Sequence, residues 1–159
     1  MDIFAERVKV TLGNDLVADT TAETKSAVAD ASGFDETTYI VKFGDVDAAA
    51  IITLTPKENT ASSTTSPTPT AVTLDTISSS AGVITSGAVV LTELSANLDD
   101  KIVIITVKHS AHSKRYQFLS ITATVESYEL DCVLILQGLP KSLPVTQSSD
   151  VVATAQAAS

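Results

Sequence analysis

Tryptophan is missing from this chain of 159 residues, aromatic residues make up 4% of it, and there is one cysteine, Cys132. A single thiol excludes an internal disulfide, and its place in an apolar run suggests a buried small hydrophobe. So few aromatics disfavour the exposed platforms that bind sugars: Phe4, Phe34, Tyr39, Phe43, Tyr116, Phe118 and Tyr128 are the whole supply, and most fall inside strand patterns. Basic residues are scarce too, 10 Lys and Arg against 19 Asp and Glu, for a net charge of -9. That balance argues against binding a nucleic-acid backbone or an anionic membrane, both of which attract clustered cations. No run is apolar enough for a membrane helix, and MDIFAERVKV lacks the layout of a secretory leader. Asn14, Asn59 and Asn97 are not in glycosylation acceptors, and the expected place of synthesis is a cytoplasm. The chain contains no G-x-S-x-G, no phosphate-binding G-x-x-x-x-G-K-S/T and no H-E-x-x-H, so the expected protein is not an enzyme and needs no cofactor.

Ala, Val, Thr, Ser and Ile are plentiful, the residues of sheets with thin cores. Apolar and polar residues alternate over Arg7–Leu12 and again over Thr38–Phe43, which ends at Gly44-Asp45. Residues 48–55 read as a strand that pairs with the preceding one and stops at Pro56. Thr20 and Glu23 have capping-box spacing, but no helical stripe follows, so a loop with a short strand near 26–29 is expected. The run NTASSTTSPTPT at 59–70 is a surface loop or extended arm. Strands are expected at 72–74 and at 83–91, the second bulged at Gly87, and Asn97, Asp99 and Asp100 mark a turn. The next strand, at 101–108, has Val103, Ile105 and Val107 on one side and Ile102 and Ile104 on the other.

The longest pattern, 114–137, reads as a central antiparallel hairpin reversing at Glu126–Glu129, although it lacks the Asn-Gly pair of the tightest turns. Its second arm sets Leu130, Cys132, Leu134 and Leu136 against Val133 and Ile135, so both faces are expected to be buried. Past Gly138, Pro140 and Pro144 interrupt regular structure. The expected fold is an all-β antiparallel β-sandwich of jelly-roll or immunoglobulin-like type, with an arm at 1–6, a sandwich at 7–138 and an extended tail at 139–159.

Few residues suggest chemistry. His109 and His112, with Glu126 or Glu129, are too few for zinc, and Asp45, Asp47, Asp99 and Asp100 lack EF-hand spacing for calcium, so no metal is expected. Arg115, beside Lys114, is expected to pair with Asp100 or Glu93, or with an acidic group across an interface. The residues expected at an interface are Lys114, Arg115, Pro140, Lys141, Leu143, Pro144 and Val145.

A Gly-Phe-Asp opening at Gly33–Asp35, Phe43-Gly44, the turn at Asp99-Asp100, Arg115–Leu119 and Gln137-Gly138 before a Pro/Thr tail occur in an order that resembles small head proteins of tailed bacteriophages. The resemblance implies a decoration or cement protein on the head exterior, a sandwich assembling as homotrimers and bridging subunits of the phage major capsid protein. The alternatives are a receptor- or carbohydrate-binding module of a virion appendage, and a tail-tube or head-completion subunit.

Overall fold

Side chains that alternate between apolar and polar carry most of this chain through strands, and a computed structural model describes residues 8–72, 82–85, 88–92, 97–109 and 114–140. In chain order the strands are β1 (Lys9–Asn14), β2 (Val17–Thr20), β3 (Thr24–Lys25), β4 (Ala29–Asp30), β5 (Phe34–Val46) and β6 (Ile51–Asn59). They continue with β7 (Thr70–Ala71), β8 (Gly82–Thr85), β9 (Ala88–Thr92), β10 (Ile102–Lys108), β11 (Tyr116–Thr124) and β12 (Tyr128–Pro140). One sheet has the order β1-β12-β5-β10, with β2 also on β12. The other has the order β3-β11-β6-β9-β8, with β4 on β11 and β7 on β6. The two antiparallel sheets pack face to face, which makes the protein an all-β sandwich.

Between the sheets, Tyr39, Val41 and Phe43 of β5 and Val133 and Ile135 of β12 share a core with Ile52 and Leu54 of β6 and Leu119 and Ile121 of β11. Each such aliphatic or aromatic side chain contributes about 1.5–3 kcal/mol on burial. Phe43 and Tyr128 meet edge to face, with ring centroids 6.3 Å apart.

The expected central hairpin does not form. β11 pairs with β6, β3 and β4 in the second sheet, and β12 pairs with β5, β1 and β2 in the first. The same holds for the strands on either side of residues 47–50, expected to pair, since β5 and β6 also lie in opposite sheets. Both connections are therefore arches that carry the chain across the sandwich. A hairpin would leave two apolar faces side by side in one layer, whereas an arch turns them toward each other. The two corners hold each other: Asp47 N donates to Ser127 O (3.2 Å), Ser127 N donates to Asp47 Oδ2 (3.2 Å), and Ala49 N donates to Glu126 Oε2 (2.9 Å). The Ser127 hydroxyl also donates to Asp47. Val125 takes a left-handed φ of 80° at its corner.

β12 also changes face. Leu130 is opposite Phe43 but Cys132 is opposite Lys42, so one extra residue shifts the register. Tyr128 and Leu130 point inward before the shift, and Val133, Ile135 and Gln137 after it. Cys132, Leu134 and Leu136 thus face outward, and Cys132 is half-buried, contrary to the buried position expected of it.

β6 runs through Pro56, which was expected to end it. Pro56 O accepts a bond from Val72 N (2.8 Å), so its missing donor also points to that side. There β9 pairs with residues up to Leu54 and the β7 ladder begins at Lys57, so the proline falls between them and costs no more than the return bond to Val72. The 83–91 pattern is two strands, because Thr85 pairs with Ala88 in a β8–β9 hairpin; Gly87 lies outside the described residues. The 59–70 loop is organised by buried Asn59, whose Nδ2 donates to Ser63 O (2.8 Å) and Pro67 O (2.9 Å). Pro140 is the last residue of β12, opposite Phe34, where an interruption was expected.

Candidate interface on the outer face of the first sheet

Outward residues line up across strands because the register is continuous. Ile104 of β10 is opposite Ile40 of β5, Ile40 is opposite Leu134 of β12, and Leu134 is opposite Leu12 of β1. The next row is Thr106, Thr38, Leu136 and Val10; the row on the other side is Ile102, Lys42 and Cys132. Ile104 is 64% exposed, Ile102 59% and Leu12 38%. None of these outward aliphatics belongs to the core cluster. Four strands about 4.8 Å apart and three rows about 6.8 Å apart span roughly 400 Å², and seven of the eleven side chains on that area are aliphatic.

The second sheet presents a different surface. Its outer face pairs Thr124 with Ile51, Thr122 with Thr53, Ser120 with Thr55 and Phe118 with Lys57. Phe118 is fully buried there, and beside it Glu23 gathers Ser120, Lys57 and Lys25. The Ser120 hydroxyl, and then the two lysines, hold the Glu23 carboxyl down to about 2 against the opposing effect of burial. One outer face is polar and ionic, the other mostly aliphatic.

The aliphatic face is edged by closed charge pairs. Lys42 Nζ reaches Asp100 Oδ1 (2.9 Å) and Asp131 Oδ2 (2.8 Å), which raises the lysine's pKa and lowers that of Asp100. Lys108 stands opposite Glu36 at the other end.

Of the residues expected at an interface, Lys114 and Arg115 lie at the start of β11 in the second sheet, and Pro140 ends β12 in the first. Arg115 is bidentate to Asp30, Nε–Oδ1 2.9 Å and Nη2–Oδ2 2.5 Å, and lies 5.2 Å from the centroid of the Tyr116 ring. That guanidinium holds the Asp30 carboxyl well below its usual range. The internal partner of Arg115 is thus Asp30; Asp100 belongs to Lys42, and Glu93 lies outside the described residues. Lys114 donates its backbone N–H to Glu58 (3.3 Å) and its ammonium to Thr70. Lys141, Leu143, Pro144 and Val145 lie outside the described residues. The clue to the aliphatic face was present in Ile102 and Ile104, but a strand apolar on both sides reads equally as one buried on both sides.

The groups weighed as metal ligands are spread apart. His109 lies beside Phe34 at the start of β5, while Glu126 bonds Ala49 beyond the other end of that strand, so they cannot share an ion; His112 lies outside the described residues. Asp47 bonds Ser127, Asp99 accepts from Val46 N (2.9 Å), and Asp45 is exposed. Among the described residues no three His, Cys, Asp or Glu gather as metal ligands.

One pairing resembles a nucleophile and base: Thr37 Oγ1 lies 2.8 Å from His109 Nε2, and His109 Nδ1 lies 2.6 Å from Phe34 O. A neutral ring donates from Nδ1 to that carbonyl and accepts the threonine hydroxyl at Nε2. Thr37 is fully buried, so the pair ties β5 to the end of β10 and offers no approach to a substrate. Next to Thr37 on the other side, Gln137 Nε2 donates to Asp30 O (2.6 Å) across the sheets.

Comparison of the chain with models of protein families, with curated proteins and with solved structures finds no match.

Proposed function

We propose that the chain is a non-enzymatic structural protein of a phage virion, a decoration or cement protein that assembles with copies of itself, as a trimer, and bridges major-capsid subunits on the head exterior. The observation that carries this reading is the aliphatic outer face of the first sheet on an otherwise acidic chain. A surface of that kind serves to bury area against protein. Symmetry repeats each contact around a shell, so modest affinity per subunit accumulates into resistance to internal pressure. The order of strand and turn features described above supports the same setting. Scarce aromatics, with Tyr39, Phe43, Phe118 and Tyr128 buried, weigh against a sugar-binding appendage.

Heads of the parent virus stripped of this protein provide the test. Purified chain added back should co-sediment with them in a saturable stoichiometry and raise the temperature at which they rupture. Absence from the pellet, or native masses of six- or twelve-membered rings, would refute the decoration role.

A further inference from the structure

We infer that the outer face of the first sheet is closed by copies of this chain, packed on one another through the Ile104–Ile40–Leu134–Leu12 row. This deepens the self-assembly proposed above and rests on it for its biological setting. Area points to a copy. An interface of ordinary size buries about 800 Å² on each partner, with an apolar centre and a polar rim. That footprint of roughly 400 Å², seven of its eleven side chains aliphatic, supplies such a centre, with the pairs Lys42–Asp131 and Lys42–Asp100 in its outermost row.

The net charge of -9 opposes association of like chains, and at this margin Lys42 offsets one of the two carboxylates, Asp100 and Asp131, that it joins. Shape favours a copy. Twisted sheets pack face to face at about 10 Å with interdigitating aliphatic side chains, as the two inner faces of this molecule do. Three faces about 19 Å wide around a threefold axis would each stand about 5.5 Å from it, near half that spacing, so a threefold cluster closes without a central void. The Thr-rich outer face of the second sheet offers no such fit.

Cys132 provides the readout, because it is the chain's only thiol and lies in the row beside Leu134 on this face. The full chain is followed by sedimentation equilibrium from about 1 to about 100 µM, a range covering the affinity of ordinary contacts, with Cys132 alkylated by iodoacetamide in parallel. Association should slow alkylation about tenfold or more as the oligomer fills. Ile104→Lys, at an exposed edge position, should weaken association by about 10- to 100-fold and restore the thiol's reactivity with the circular dichroism unchanged. Thr124→Lys, on the other sheet's outer face, should leave both unchanged. A monomer with a reactive thiol throughout, or an oligomer indifferent to Ile104→Lys, overturns the inference. A monomer that still binds heads, and loses them on Ile104→Lys, overturns it in favour of the capsid as occupant while the decoration role stands. An oligomer sensitive to Ile104→Lys that ignores heads keeps the inference and removes the decoration role.

Discussion

The same atom removed from two buried tyrosines should change stability in opposite directions. Tyr39 is fully buried, and its hydroxyl has no hydrogen-bond partner among the described residues. Tyr128 is 1% exposed, and its hydroxyl donates to Thr24 Oγ1 at 2.8 Å, with Ala22 O and Ile121 O each at 3.4 Å. An unmade buried hydroxyl bond costs about 1–3 kcal/mol, while a made one contributes about 1 kcal/mol net. Tyr39→Phe should therefore stabilise the protein by about 1 kcal/mol, and Tyr128→Phe should destabilise it by about 1 kcal/mol. At a urea slope of about 2 kcal/mol/M, the midpoints move by about 0.5 M in opposite directions. The assay is urea unfolding followed by circular dichroism at one chain concentration, since self-association would otherwise move the midpoint.

A second arm uses pH. Burial raises the pKa of both phenols, so each folded value lies above the ordinary 10.0. The resulting stability is complete below pH 10.0 and is lost as pH rises toward the folded value. Tyr39→Phe should flatten that alkaline decline. A loss of 1 kcal/mol or more in Tyr39→Phe would refute the reasoning, because it would mean that the hydroxyl is satisfied in the folded protein.

Two further perturbations address the corner and the ion cluster. Asp47→Ala removes the acceptor for Ser127 N and the Ser127 hydroxyl, so urea unfolding should register a loss of about 1 kcal/mol; no change would mean that the arch corners are held by their backbone bond alone. Glu23 is lowered from 4.5 to about 2, so its contribution is present above pH 4.5 and is lost as pH falls toward about 2. With its side chain 34% exposed, solvent screening reduces that contribution to about 1–2 kcal/mol, and Glu23→Gln should remove it from an acid titration of stability.

How much of this protein was readable in its letters depends on the range of the interaction. Period-two alternation, Gly and Pro punctuation and a supply of Val, Ile and Thr are local, and they were enough for the all-β class and the main strands at 38–43, 101–108 and 116–124. Asp99-Asp100 was legible as a turn for the same reason, and Asp100 takes a left-handed φ of 57° there. Pairing is not local. Whether β11 turns back on itself or crosses to the other sheet depends on which apolar faces find each other, and both options use the same short polar link. The partner of Arg115 was misjudged for a related reason, because Asp30 is brought beside it only when β4 pairs with β11.

The candidate face was partly visible. Ile102, Ile104, Leu134 and Leu136 could be seen to lie opposite inward-facing residues, but the alternation alone does not say whether the second apolar side meets protein or water. The sequence by itself determined that this chain makes sheets, since composition and local spacing act within a few residues. Only the tertiary structure decided which strands share a sheet, where one extra residue in β12 turns Cys132, Leu134 and Leu136 outward, and hence which face is aliphatic. Those outcomes rest on hydrogen-bond register between residues as far apart in the chain as Lys9 and Gln137, and a register exists only once the partners have met.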